Sequence, residues 1–178
     1  IKDRLDVREL QSPTDHRRRA LEDRPLYFSP LGEEARALMD GMWDRLARGR
    51  GAPLVLRNKG REIKVPRYMN GVGRGSFEAF CAQPYGPTDY LMIADAVAVL
   101  MIDDVPVLSR RRANEAKRFV TLVDALYEAR KRLVCSAEAE PEALYEEGPG
   151  AFEFERTASR LIEMRRPDWG APLGEDKG

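Results

Sequence analysis

The sequence predicts an α/β protein: a parallel sheet with flanking helices, preceded by an N-terminal helix and a β-hairpin. Three observations point there. Val97 to Ile102 is a short apolar run rich in β-formers. Residues 112–129 then carry Ala116, Phe119, Val120, Val123, Leu126 and Tyr127 at helical spacing, closed by Arg130-Lys131-Arg132 at the negative end of the helix dipole. A second apolar run, L-V-C-S-A, follows. Strand, helix, strand is the pattern of a parallel β-α-β unit.

The remaining elements read in chain order. L-D-V-R-E-L and P-L-Y-F are short extended pieces around the charged stretch D-H-R-R-R. Ser29-Pro30 predicts a helix start, with serine as cap, proline at the first helical position and Glu33 and Glu34 at the positive dipole end. Leu31, Ala35, Leu38, Met39, Met42, Trp43 and Leu46 give that helix one apolar face, and Gly49 and Gly51 end it. P-L-V-L-R and R-E-I-K-V-P flank N-K-G, a hairpin signal for a half-buried edge ribbon. Ser76 caps a short helix through Phe80, and Thr88 caps another through Ala94. Pro141 opens a short helix, E-G-P-G breaks it, and Phe154 to Met164 form the last. Three regions result: 1–75 as a strand, helix and hairpin region, 76–166 as the α/β region, and 167–178 as a tail.

Composition narrows the class. With 178 residues, 43% hydrophobic and 34% charged, the chain suits one sizeable core under a charged surface. Thirty basic and thirty acidic residues cancel, so any attraction to nucleic acid or an acidic membrane must come from local patches. The longest apolar run, Ala96 to Ile102, is far short of the roughly 20 residues that cross a bilayer. No basic start followed by an apolar stretch suggests a signal peptide. Cys81 and Cys135 sit in apolar surroundings and read as buried, reduced thiols, with a disulfide or metal site as the lesser alternative. Ile1 opens the chain inside an expected strand, so the sequence reads as a fragment of a longer protein.

Four stretches could carry chemistry. N-G-V-G-R-G-S-F (70–77) has the glycines of a phosphate loop but no lysine, and Val65-Pro66 makes a poor parallel strand before it. It reads as a flexible connection between hairpin and helix. V-L-M-I-D-D-V-P (99–106) is an apolar strand ending in Asp103 and Asp104, which suits either a Walker B-like pair near magnesium or a turn helped by Pro106. Arg156 and Arg160, four apart on one helix face, could act as an arginine finger on a neighbour's nucleotide or pair with Glu155 or Glu163. The basic clusters at 16–19, 110–112 and 130–132 lack interleaved aromatics and read as solvated faces, leaving His16 no acid/base or metal partner.

Taken in order, D-H-R-R-R-A-L, Y-F-S-P-L-G, S-F-E-A-F-C, D-Y-L-M-I-A, D-D-V-P-V-L, A-K-R-F-V-T-L-V-D-A-L-Y-E, L-V-C-S-A-E-A-E-P-E-A-L-Y and F-E-F-E-R-T-A-S-R-L-I-E-M resemble the C-terminal half of the ZapE-like (AFG-type) AAA+ ATPases. The resemblance runs from residue 1 to about 169 and implies a P-loop-NTPase-like fold that hydrolyses ATP with Mg2+. The Walker A, Walker B and first sensor motifs that bind both belong upstream of residue 1, so these residues alone are expected to be inactive and to hold no metal. It further implies self-association as an AAA+ ring and a bacterial division protein as partner. The implied location is the cytoplasm, peripheral to the inner membrane or division site, or mitochondrial, in protein quality control, in a eukaryote. In the family a bulky residue usually stands near Gly75, which makes the glycines of 71–75 incidental. Strand 99–104, its helix, L-V-C-S-A and P-E-A-L-Y together resemble a repeat or extension of the NTPase sheet, with Asp103 and Asp104 structural. Arg160, in its S-R-L setting, is the first choice for a finger and Arg156 the second. The competing class is a non-enzymatic protein- or nucleic-acid-binding module.

Overall fold

The computed structural model describes residues 24–170, together with His16 and Leu21. The expected strand at L-D-V-R-E-L lies outside the described residues. Six strands form one sheet: β1 (Tyr27–Phe28), β2 (Ala52–Asn58), β3 (Arg61–Met69), β4 (Val72–Ser76), β5 (Val99–Val105) and β6 (Arg132–Ala137). Their order is β1-β6-β5-β4-β3-β2. The first four in that order run parallel, and β4, β3 and β2 form an antiparallel meander. Helix α1 (Glu33–Ala47) packs on one face. Helices α2 (Phe77–Cys81), α3 (Pro87–Ala96), α4 (Ala113–Glu128) and α5 (Ala151–Met164) form the other layer. This mixed α/β sheet with flanking helices has the P-loop-NTPase-like character that the sequence leads one to expect.

The strand period sorts side chains between two cores. Val72, Val99, Met101 and Val134 face α1 and meet its buried Met39, Met42, Trp43 and Leu46. Leu100, Ile102, Leu133 and Cys135 face the opposite layer and meet Phe77, Phe119, Leu122 and Leu126. Both free cysteines are buried there, and burial pushes both thiols up in pKa. The parallel unit β5-α4-β6 forms where the periodicity puts it.

The segment N-G-V-G-R-G-S-F is not a flexible connection. Asn70 and Gly71, with φ of 53° and 81°, form a two-residue turn between Met69 and Val72, as a type I′ hairpin requires. Lys59 and Gly60, at 51° and 82°, do the same between β2 and β3. Val72–Ser76 is then a buried strand between β3 and β5. Its glycines are small because their neighbours are close. A Cβ on Gly73 would stand 3.0 Å from Val65 and from Val97, and one on Gly75 only 2.9 Å from the Phe80 ring and from Pro66. Gly75 is therefore not incidental. Pro66 itself lies in β3 at an irregularity, where Leu54 pairs with Val65 but Ala52 with Tyr68, so its missing N–H costs no ladder bond.

Several boundaries move. Helix α1 starts at Glu33 with Gly32 as its cap, while Ser29 hydrogen-bonds Glu140 instead of capping. Leu31 lies before the helix and Leu38 is half exposed. The helix ends at Arg48, whose φ of 62° turns the chain, and the Gly49 carbonyl accepts the Trp43 indole N–H at 2.8 Å. Ser76 does cap α2, accepting from the Ala79 N–H at 3.0 Å. Helix α3 starts at Pro87 with Gly86, not Thr88, as its cap, because Pro87 takes the first helical position and Asp89 accepts the Gly86 N–H at 2.8 Å. Helix α5 begins at Ala151, and Pro141–Ala143 is a 3-10 turn. The boundary expected at 75/76 falls inside one continuous sheet. Within the stretch expected as tail, Trp169 is buried, stacks on Tyr127 at 4.7 Å and donates to the Lys131 carbonyl at 3.0 Å. The remainder, 171–178, lies outside the described residues.

Two stability predictions follow from this packing. Gly75→Val should destabilise by about 1–3 kcal/mol through overpacking against Phe80 and Pro66, read as a lower urea midpoint. Asp89, fully buried, accepts from the Asn58 amide at 2.9 Å and pairs with Arg61. Burial alone would raise its pKa, but Asn58, the Gly86 N–H and Arg61 outweigh burial and lower it. Its contribution is therefore complete above the unfolded Asp pKa of about 3.9 and is lost as pH falls through the lower folded value. Asp89→Asn should cost about 3 kcal/mol at neutral pH. In a urea series on the acid side, the gap between variant and wild type should narrow.

Candidate functional site

In α/β sheets, the ligand end is the carboxyl edge of the parallel strands. Here the carboxyl ends of β4 and β5 bring together Arg74, Asp103 and Asp40 from α1. Ser76 pairs with Asp103 and Arg74 with Met101, so Arg74 and Asp103 are diagonal neighbours on the α1 face. The Arg74 guanidinium donates from Nε to Asp103 Oδ2 at 2.8 Å and from Nη2 to Asp103 Oδ1 at 2.9 Å. Nη2 also pairs with Asp40 Oδ1 at 2.9 Å. Burial works against the charge on Arg74, yet the hydrogen bonds and proximity of Asp103 and Asp40 outweigh it and raise its pKa. Nη1 is buried and has no hydrogen-bond partner.

Asp104 does a different job. Its φ is 62°, its N–H donates to Ser136 Oγ at 2.9 Å, and its side chain is exposed. The β5–β6 register shifts between Ile102 and Val105, so the two aspartates form a bulge that interrupts the ladder before Val105 pairs with Ala137. Beyond it, Glu138 accepts the Val107 N–H at 2.7 Å. Asp103 is occupied by Arg74, the amides of 72–76 belong to the sheet, and among the described residues no cluster of three His, Cys, Asp or Glu could hold a metal.

The arginines of α5 lie elsewhere. Arg160 pairs with Asp124, reaches Glu128 at 3.5 Å, and sits 4.3 Å over the Tyr127 ring. Tyr127 in turn donates to Glu163 at 2.8 Å. Arg156 touches the same Asp124 at 3.5 Å and is 61% exposed, against 18% for Arg160. The carboxylates facing both arginines come from α4, not from Glu155 or Glu163 beside them on α5. Asp124 and Glu128 belong to the end of α4 that feeds β6, so this cluster stands by the amino ends of the strands. The fold thus separates Asp103 and Asp104 from Arg156 and Arg160.

Of the basic clusters, Arg17 to Arg19 lie outside the described residues. Arg112 pairs with Glu78 and Glu115, Arg130 lies 4.9 Å over Trp169, and Arg132 is buried in β6. His16 hydrogen-bonds the Arg45 carbonyl at the end of α1. Sequence reasoning missed the Arg74–Asp103–Asp40 network, although a lone Arg between two glycines beside an apolar strand ending in Asp is the signal that could have found it.

The network makes a stability prediction. Arg74→Met leaves Asp103 and Asp40 without their counter-charge and should cost about 3–5 kcal/mol, while Arg74→Met with Asp103→Leu should recover much of the loss. Chemical denaturation of wild type, the single variants and the double variant measures the coupling.

Comparison with known proteins gives this architecture its relatives. The chain matches the AFG1-like ATPase family over residues 1–171. It is 35% identical over 171 residues to "Cell division protein ZapE" of Escherichia coli, covering 95% of this chain and 45% of that protein. It is 31% identical over 146 residues to "Lactation elevated protein 1 homolog B" of Danio rerio, covering 80% of this chain and 29% of that protein. An uncharacterized Schizosaccharomyces pombe protein is 29% identical over 202 residues, covering 95% and 44%. No solved structure matches. The chain spans less than half the length of each of these relatives. With a family match across nearly its whole length and a mixed α/β sheet beneath it, the chain belongs to the AFG1-like ATPase family.

Proposed function

We propose that this chain is the C-terminal portion of an ATP-hydrolysing AAA+ protein of the ZapE-like kind, with ATP and Mg2+ gripped by residues outside it. The observation that carries this reading is the glycine segment. In a family of ATPases, the phosphate-loop-like stretch of this chain is a packed strand with no lysine, and no G-K-[ST] occurs anywhere in the sequence. By this account the chain supplies sheet, flanking helices and a surface for self-association as a ring. A role in bacterial cell division, at the division site or inner membrane, rests on the printed name of the E. coli relative.

Within that reading, α5 presents an arginine to the nucleotide of a neighbouring subunit. The fold supports the idea in one respect: Arg156 and Arg160 lie away from this chain's own carboxyl edge, so any phosphate they meet belongs to another molecule or another part of the protein. Arg160 must exchange Asp124 and Glu128 for that phosphate, whereas Arg156 is freer. The test is steady-state ATP turnover by the intact protein, with thermal melting and oligomer size measured alongside. A finger predicts a loss of roughly a thousandfold in kcat for Arg160→Ala or Arg156→Ala, measured well below the melting point of each variant and with assembly intact. Unchanged turnover in both variants, or loss that tracks melting, removes the finger. Turnover by residues 1–178 alone removes the placement of the ATP site.

A further inference from the structure

The chain is neutral overall, yet its charge is unevenly distributed. Residues 48–67 hold seven basic residues and one acidic residue, a net +6, so the remainder carries −6. This stretch is the α1–β2 loop and the β2–β3 hairpin. In three dimensions it forms a ribbon roughly 20 Å long at the sheet edge.

Among the described residues, no element covers one face of the ribbon. Ile63 and Val65 turn inward toward the core under α3, so Lys64 between them points the other way, beside its cross-strand partner Val55. Among the described residues, helix α1 packs mainly against β1, β4, β5 and β6 and meets the ribbon where Trp43 lies beneath Arg67. Lys64, Arg57 and Val55 are exposed there, and Arg48 and Arg50 are exposed in the adjoining loop. Arg67 joins the group, donating to the Arg50 carbonyl at 2.8 Å while its guanidinium lies 4.4 Å over Trp43. Two of the seven charges are matched: Arg57 pairs with Glu62, and Arg61 pairs with Asp89. Among the described residues no carboxylate pairs with Arg48, Arg50, Lys59, Lys64 or Arg67.

We propose that this outer face of the β2–β3 ribbon and its preceding loop bind the phosphate backbone of a duplex nucleic acid. Unmatched cations on a twisted two-stranded ribbon suit a row of phosphates, and arginine offers them paired donors. A duplex fits better than a single strand because Trp43 is buried beneath Arg67 and, among the described residues, no exposed aromatic offers a stacking platform on this face. A lipid surface fits less well because Val55 is the one large apolar side chain exposed on the ribbon, too little to enter an acyl layer. Binding is through the backbone and independent of base sequence. This surface is distinct from α5 and from the carboxyl edge, and it stands whether or not the ATPase reading does.

The experiment is fluorescence anisotropy of a short labelled DNA duplex titrated with the full chain. With about three phosphate contacts, affinity should fall by roughly 50-fold between about 50 and about 200 mM salt. Arg50→Glu with Lys64→Glu should weaken binding by at least about tenfold and flatten the salt slope, whereas Arg111→Glu with Lys117→Glu, an equal change in net charge elsewhere, should leave binding nearly intact. Arg50→Gln with Lys64→Gln repeats the comparison without reversing charge if the ribbon's melting is disturbed. Equal losses in the ribbon and control variants would overturn the proposal, as would salt-insensitive binding. So would binding of phosphatidylserine vesicles through Arg50 and Lys64 with no affinity for the duplex.

Discussion

Close approach across β4 is the constraint on which the rest of the structure depends. With no side chain at Gly73 or Gly75, Val65, Pro66, Val97, Leu100 and Phe80 can all close onto that strand. Side chains there would push the meander away from the parallel strands and lift α2 off the sheet. Because interiors are packed to near-crystalline density, displacement at β4 would pass to both neighbours. The two glycines thus join an antiparallel ribbon to a parallel α/β unit in one sheet.

The same strand carries the opposite feature on its other face. Arg74 emerges between the two glycines, directed at α1, and is neutralised by Asp103 and Asp40. A charge so little exposed persists only if it is paired, so the three residues fix α1 relative to the carboxyl ends of β4 and β5. This leaves the carboxyl edge polar and ordered. It also takes Asp103 out of play as a free carboxylate, while the neighbouring Asp104 kinks β5 before its last pair, Val105 with Ala137. A layer away, α4 and α5 are joined by a second charged cluster, Arg160 with Asp124 and Glu128, braced by Tyr127 and through it by Trp169.

Charge distribution separates the molecule into regions in a way that composition conceals. A chain with net charge of zero concentrates positive charge in the hairpin and spreads negative charge over the rest. Within the α/β part, several cations meet local partners: Arg112 with Glu78 and Glu115, Arg165 with Glu140, Arg118 with the Cys81 carbonyl. On the ribbon they are largely left over. Exposed basic residues also keep β2 from pairing with another strand edge, so solubility and recognition place similar demands on these positions.

Local pattern by itself determined the parallel β-α-β unit, the face of α1, the first hairpin and the Ser76 cap. In each of these, periodicity or turn chemistry acts over a few residues, and tertiary contacts agree with it. It also contained the second hairpin, since Asn70-Gly71 is a strong type I′ signal, but three glycines in five residues imitated a loop. Only the tertiary structure decided what those glycines are for, because their purpose is the nearness of Phe80 and Pro66, residues that no spacing rule connects to them. Partner choice was settled in the same way. Arg160 meets Asp124 across 36 positions and Arg74 meets Asp103 across 29, whereas Glu163, beside Arg160 in sequence, accepts from Tyr127. Trp169 looked like tail because burial is a property of the surface a residue meets, and that surface is assembled by α4 and β6.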